Sequence, residues 1–197
     1  MITLGIMNSG DETRTAVRDV YSEIADRPEA EHPFPVGRRL AEGVGYPASL
    51  LDSLPNSAVE AFAGVSYVWG FADLNDQSTV LDLGCGAGLD ALIAARTAAR
   101  VVAVDFSPAM LARAQRSVAE AKAVNIDLRL GSAEAIPVAD AAVDCAVVNG
   151  IFNLNPARDQ IFKELARVIR PGGHAYVAEL IRIDGAVVPA SDQDWFS

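Results

Sequence analysis

Residues 80–95 read VLDLGCGAGLDALIAA, an apolar run that breaks into glycines at positions 84, 86 and 88 and then resumes with helical spacing. The run TVLDL (79–83) has the length and β-branched start of a buried strand, and LDALIAARTAA (89–99) keeps Ala91, Leu92 and Ala95 on one helical face. The glycines therefore fall in a strand-to-helix turn. Glycine there takes backbone angles closed to other residues, and without side chains a flat ligand can lie against the main chain. The helix that follows points its first amides toward the same place.

Outward from this turn the same rhythm repeats. RVVAVD (100–105) predicts a second strand, and SPAMLARAQRSVAEAKAV (107–124) a helix with Ser107 as N-cap and Pro108 at its first position. IDLRL (126–130) and DCAVVNG (144–150) predict the third and fourth strands. PARDQIFKELARVI (156–169) predicts a helix opened by Pro156, and HAYVAELIRI (174–183) a fifth strand after the turn RPGG. Nearly all-apolar strands alternating with helices imply a parallel sheet covered on both faces, so the fold class is α/β, doubly wound and Rossmann-like. Residues 76–197 form this core. Residues 1–75 differ: Val17, Val20, Tyr21 and Ile24 make one apolar stripe on a charged helix, after which prolines and glycines cut the chain into short pieces. That composition suits an N-terminal helical cap. After the fifth strand only DGAVVPASDQDWFS (184–197) follows, so strands six and seven are expected to be missing, either because the sheet is trimmed to five or because the sequence stops short. The fifth strand would then be an exposed edge, able to pair with a second copy, and Trp195 and Phe196 are expected to pack back on the domain or on a partner.

The 197 residues suffice for one substantial core. A net charge of −10 with scattered basic residues disfavours nucleic acid as a partner, and no apolar segment reaches membrane-spanning length. The first residues lack a secretory pattern, so a cytoplasmic location is expected. Cys85 and Cys145 stand in apolar stretches without ligands at metal spacing, and no metal is expected.

In an open parallel sheet, ligands sit beyond the carboxyl ends of the strands, where the strand order reverses. A dinucleotide fingerprint would need glycine at position 89, which is Leu89; the pattern present is D-x-G-x-G-x-G, beginning at Asp82. An acid there opposes a pyrophosphate and suits an ammonium, which favours a sulfonium amino acid over a nicotinamide dinucleotide. Asp105 ends the second strand, where a carboxylate can accept hydrogen bonds from both hydroxyls of a ribose.

VLDLGCGAG, VVAVDFSPAMLARA, GSAEAIPVADAAVDCAVV and ELARVIRPGG, in this order between Thr79 and Ile183, resemble the landmark segments of class I S-adenosylmethionine-dependent methyltransferases. The resemblance implies that Asp82 and the turn Gly84, Cys85, Gly86 and Gly88 hold the methionine end. It implies Asp105 at the ribose, Phe106 and Met110 against the adenine, and Ser132, Ala133 and Glu134 along the adenine edge. Many relatives carry Asp at the position of Ser132, so a hydrogen bond there is weakened. Asn149 would lie beneath the methyl group. The implied cofactor is S-adenosylmethionine, leaving as S-adenosylhomocysteine, and the implied partner is a small-molecule acceptor.

VRDVYSEIAD, GVGYPASLLDSLP and NGIFNLNPARDQIFKELARVIRPGG are most similar to arsenite methyltransferases and their neighbours. That family binds trivalent arsenic through cysteine thiolates. Where its members have Gly-Cys-Gly this chain has Gly64, Val65 and Ser66, and where they have Asn-Cys it has Asn149 and Gly150. Arsenite therefore ranks behind an organic acceptor. Candidate catalytic residues are Asn149, Tyr21 and His32; Tyr21 either closes over the cofactor or simply packs, and His32 either reaches the acceptor or stays at the surface. Tyr67, Trp69 and Phe71 either wall an acceptor or, the stronger reading, pack as a helix on the core. The leading function is methyl transfer to a small molecule. The alternative is binding of S-adenosylmethionine or S-adenosylhomocysteine without turnover, and a nicotinamide oxidoreductase is disfavoured by Leu89 and Asp82.

Overall fold

The computed structural model describes residues 9–181. Five parallel strands, β1 (Thr79–Leu83), β2 (Arg100–Asp105), β3 (Ile126–Leu130), β4 (Val143–Asn149) and β5 (Ile169–Ala178), lie in the order β3-β2-β1-β4-β5. Strand pleating sends alternate side chains to opposite faces. Leu81, Leu83, Val102, Val104, Ala146 and Val148 pack on one face against Ile161, Leu165 and Val168 of the helix Arg158–Val168. Val80, Val101, Ala103, Cys145 and Val147 pack on the other, against Ala91 and Ala94 of the helix Leu89–Ala94. The helix Pro108–Glu120 joins that second face through Leu111. Ser107 caps it as expected, its Oγ accepting the Met110 amide at 3.3 Å. The β3-to-β4 connection has no helix, and its Ile136 and Val138 complete the first face.

Ahead of the sheet come the helix Ser9–Asp26 and three short helices, Arg38–Gly43, Ala48–Asp52 and Asn56–Val59. In chain order the helices are α1 to α4, then α5 (Leu89–Ala94), α6 (Pro108–Glu120) and α7 (Arg158–Val168). Pro47 and Pro55 stand directly before α3 and α4, with φ near −60° and extended ψ. The cap is built onto the core: Ala41, Tyr46, Leu51, Leu54, Ala58, Val59 and Phe62 bury themselves against Leu89 and Leu92 of α5. The stripe on α1 does the same through Ile24 and Ala25, which meet Ala61, Ala87 and Met110.

One charge in this seam fastens cap to core. Arg113 of α6 is 6% exposed; its Nε donates to the Ser57 carbonyl at 2.6 Å, Nη1 to the Ala25 carbonyl at 2.8 Å, and Nη2 to Glu60 at 2.9 Å. Arg113→Met would fill the space but leave the two backbone carbonyls without that donor, at about 1–3 kcal/mol for each buried unsatisfied group. We expect a loss of roughly 3 kcal/mol, read as a fall in the urea midpoint with an unchanged slope.

Several boundaries differ from the sequence expectation; α5 ends at Ala94 rather than Ala99, and α6 at Glu120 rather than Val124. RPGG is no free turn: β5 pairing opens at Ile169, opposite Val143, and resumes with Cys145 opposite His174, so the extra residues bulge within the strand. Gly172 takes φ +83° there, and a side chain at Gly173 would strike the Asp144 carbonyl and the Ile169 side chain. α7 opens at Arg158 rather than Pro156, because Asn155 Oδ1 takes the Ala157 amide at 2.8 Å and shapes a turn first. Strand β5 ends at Ala178, before the ELIRI (179–183) that was expected to continue it. Among the described residues β5 pairs only with β4. Trp195 and Phe196 lie outside the described residues, as does any strand beyond residue 181.

Candidate functional site

The crossovers from β1 run to one side of the sheet and those from β4 to the other, so a crevice opens between the carboxyl ends of these neighbouring strands. Here lies a cleft of about 1040 Å³, measured out to its open mouth. The turn after β1 forms its floor. Gly84, Gly86 and Gly88 all have positive φ, +78°, +51° and +86°. A side chain at Gly84 would come within 2.6 Å of Ile151 Cγ2, whereas the space beside Gly86 is open. Gly86 thus presents bare backbone to the cleft. Gly88 does not line it; it opens α5 in a left-handed conformation, close to Ala114.

β1 and β2 run in register with Asp82 opposite Ala103, so Asp105 lies two residues nearer the carboxyl edge on the same face as Asp82. Both line the cleft. Asp105 Oδ2 accepts the Gly86 amide and Oδ1 the Ser107 amide, each at 2.8 Å, so this carboxylate shapes the turn it borders. Burial raises its pKa, and the amides of Ser107, Gly86 and Phe106 oppose the rise. Asp82 is 2% exposed, and its Oδ2 has no hydrogen-bond partner. Burial first, then Asp90 and Asp105, push its pKa well above the usual carboxylate range, with only the Ala91 amide pulling it down. The cleft therefore holds an orphaned acidic oxygen beside two further acids, and a ligand cation suits it.

Asp90, on α5, was not singled out in the sequence, although a lone carboxylate in the apolar helix LDALIA signals a buried partner. Its Oδ1 accepts Tyr46 Oη at 2.6 Å and Trp69 Nε1 at 2.7 Å, and its Oδ2 accepts Asn149 Nδ2 at 3.0 Å. Burial raises its pKa while these donors from Tyr46, Asn149 and Trp69 hold it down. Asn149 lines the cleft at the end of β4, with its amide fully engaged: Oδ1 accepts the amides of Val65 and Ser66, and Nδ2 also donates to the Ser66 carbonyl.

Opposite the glycine turn, Ser132, Ala133 and Glu134 border the cleft after β3. Ser132 Oγ is committed to Glu134, which also accepts Asn155 Nδ2 at 2.6 Å and faces Arg14 of α1 at 3.5 Å. Burial pushes the Glu134 pKa up, but these hydrogen bonds hold it below the usual range. Cys85, Phe106 and Met110 also line the cleft; burial, then Asp105 and Asp82, push the Cys85 thiol up.

Of the other candidates, Tyr21 lines the cleft and packs against Phe34 at 5.9 Å between ring centroids. Burial, then Asp105 and Glu179, raise its phenol above its ordinary value, so it stays protonated near neutral pH. His32 is away from the cleft, its Nε2 3.0 Å from the Arg27 carbonyl. Tyr67, Trp69 and Phe71 do not line it either. Trp69 lies within, and Tyr67 and Phe71 on either side of, a single 3-10 turn, Val68–Gly70, rather than an α-helix; Trp69 is held by Asp90, Tyr67 packs on Tyr46, and Phe71 is 60% exposed. The sequence reading missed Phe62, Ile151 and Leu154, apolar parts of the cleft wall, and Arg14 and Asn155, which reach Glu134. Among the described residues no helix is long and apolar enough to cross a membrane, and no group of three or more His, Cys, Asp and Glu is placed to hold a metal.

Residues 80–173 match the methyltransferase domain family. Over 145 residues the chain is 34% identical to an arsenite methyltransferase of Halobacterium salinarum, which covers 72% of this chain and 37% of that protein. Its structure is similar to that of phosphoethanolamine N-methyltransferase 1 of Haemonchus contortus, solved with phosphoethanolamine and S-adenosylhomocysteine. The TM-score is 0.67, covering 97% of this chain and 39% of that one; at 18% identity this is a likeness of fold. It is also similar to the 4+2 cyclase SpnF, with a TM-score of 0.56 and 28% identity, covering 61% of this chain and 46% of that one. The chain spans less than half the length of each of these three proteins. With its sheet order, its acidic glycine turn and the matched segment in agreement, the chain belongs to the class I S-adenosylmethionine-dependent methyltransferases.

Proposed function

We propose that this chain transfers a methyl group from S-adenosylmethionine to a small organic acceptor. The observation that carries the reading is the Asp82 carboxylate, buried in the cleft with one oxygen unpartnered beside the bare backbone of Gly86. A buried acid without a partner is costly, and the ammonium of an amino-acid-like ligand would relieve it. Asp105 retains lone pairs beyond the two amides it accepts, enough for ribose hydroxyls. Phe106 and Met110 supply the apolar contact an adenine needs, and Ser132, Ala133 and Glu134 border it.

When bound, the sulfonium supplies an activated methyl, and its displacement in line removes positive charge. The protein's share is alignment and exclusion of water, for which no dedicated base is obligatory. Tyr21, held protonated, closes the α1 side as a donor and a wall. Arsenite is a poorer fit than an organic acceptor. The two positions that carry cysteine in arsenite-binding relatives, Val65 and Gly150, adjoin here, a side chain at Gly150 falling 3.1 Å from Val65 Cγ1, and neither offers a thiolate.

Calorimetric titration with S-adenosylhomocysteine tests the cofactor site. An ammonium favours the ionised form of Asp82, whose pKa is raised in the free protein, so binding should expel a proton. Affinity is expected to be higher at pH 8 than at pH 5, with proton release at the lower pH seen as a dependence on buffer ionisation enthalpy. Equal affinity at both values would remove Asp82 from the ammonium site. A second reading, binding with no methyl transfer, is favoured by the likeness to a cyclase, since that fold then serves other chemistry. Methylated product from an acceptor panel separates the two.

A further inference from the structure

We propose that Asp90 is a positioning residue: it locks the cap segment 64–69 to Asn149 at the end of β4 and so sets the wall of the cleft at Gly64, Asn149 and Gly150. This rests on the methyl-transfer reading only for its effect on catalysis, not for the lock itself. Apolar packing anchors the far end of the segment: Val68 is fully buried, Tyr67 and Trp69 pack on the core, and the Tyr67 amide donates to the Val44 carbonyl at 3.1 Å. The segment runs from the cap into β1 as irregular chain with a single 3-10 turn, yet Gly64 lines the cleft. What sets its polar groups at Val65, Ser66 and Trp69 is a chain of hydrogen bonds with Asp90 at its centre. From α5, Asp90 takes Trp69 Nε1, Tyr46 Oη and Asn149 Nδ2. Asn149 in turn holds both amides and one carbonyl of Val65 and Ser66. Tyr46 Oη lies 3.3 Å from the Ser66 carbonyl as well. The fit leaves no slack: a side chain at Gly64 would come within 2.6 Å of Asn149 Nδ2, and one at Gly150 within 3.1 Å of Val65.

The polarity of this chain is fixed. Asp90 only accepts, so the Asn149 amide must turn its nitrogen toward Asp90 and its oxygen toward the segment, where it meets two backbone donors. A carboxamide at position 90 would set a donor against a donor. The arrangement is nevertheless partly reciprocal: with amide and carboxylate exchanged, an asparagine at 90 would accept from Tyr46 and Trp69 and donate to an aspartate at 149, which would still accept the Val65 and Ser66 amides but lose the donor to the Ser66 carbonyl.

The test compares Asp90→Asn, the double variant Asp90→Asn with Asn149→Asp, and Tyr46→Phe, all in a Trp195→Phe background so that Trp69 is the sole tryptophan. Acrylamide quenching of Trp69 reports the segment, and S-adenosylhomocysteine titration reports the cleft. Asp90→Asn is expected to raise the quenching constant about twofold and weaken ligand binding about tenfold, the scale of one charged hydrogen bond. The double variant should recover part of each loss, limited by the missing donor to the Ser66 carbonyl, and Tyr46→Phe should fall between the parent and Asp90→Asn. Unchanged Trp69 quenching in a folded Asp90→Asn protein would overturn the proposal, as would a double variant no better than the single one. If the parent protein binds no S-adenosylhomocysteine, the cofactor reading fails, and the quenching series still decides the lock.

Discussion

Asp82→Asn is expected to make the protein more stable at pH 8 and to weaken S-adenosylhomocysteine binding about a hundredfold. Both follow from one buried oxygen without a partner. The folded pKa of Asp82 is raised above its unfolded value by burial and by Asp90 and Asp105. For such a group the stabilising contribution is complete below the unfolded pKa, about 3.9, and is lost as pH rises through the folded value. At pH 8 the ionised carboxylate therefore opposes folding. Asparagine removes the charge and turns an amide toward Asp90 and Asp105, relieving about 1–3 kcal/mol, a rise of roughly 4 °C in Tm. Toward pH 4, where the folded carboxylate is protonated and the unfolded one about half so, most of the gain should vanish. Ligand binding moves the opposite way, because the charge that destabilises the empty cleft is the one a ligand ammonium would meet; its loss is about 3 kcal/mol, or roughly a hundredfold in Kd. A variant neither more stable at pH 8 nor weaker in binding would deny Asp82 this role.

Asp105→Ala should lose both stability and ligand. Its two oxygens accept the amides of Gly86 and Ser107, and Ser107 is fully buried at the N-terminus of α6. Removing the carboxylate strands those amides at roughly 3 kcal/mol together, lowering Tm by about 9 °C for a domain of this size. It also frees the turn that offers Gly86 to the ligand, so S-adenosylhomocysteine affinity should fall about a thousandfold, more than the ribose contacts alone would give. Asp105→Asn, which keeps one acceptor, should recover part of the stability and little of the affinity. Near-ultraviolet circular dichroism confirms the fold of each variant before titration. An alanine variant that loses stability but keeps its affinity would make Asp105 scaffolding only.

The two variants pull apart because the acids stand differently in one cluster. Asp105 is satisfied by the backbone and so supports the fold, whereas Asp82 is unsatisfied and burdens it until a cation arrives. Asp90 is the third case, satisfied by side chains that belong to the cap.

What the sequence by itself determined is what neighbours along the chain decide. The five strands announce themselves as short apolar runs, the turn after β1 as glycines at alternate positions, and the start of α6 as Ser107 followed by Pro108; each depends on local angles or local hydrogen bonds. Asp82 and Asp105 were legible for the same reason, both lying at strand ends beside recognisable turns. The departures begin where a distant partner decides. RPGG has the composition of a turn, yet pairing of Ile169 with Val143 draws it into β5, and the side chain of Asn155 delays α7 past Pro156. Tertiary structure alone gathered Tyr46, Trp69, Asp90 and Asn149, drawn from the cap, the approach to β1, a helix and a strand end. It alone buried Arg113, whose place in the stripe of Met110, Ala114 and Ser117 hinted at a partner without naming one. A buried polar group must find its complement wherever the chain brings one, and that distance is fixed by packing the cap on α5 and α6, not by spacing along the sequence.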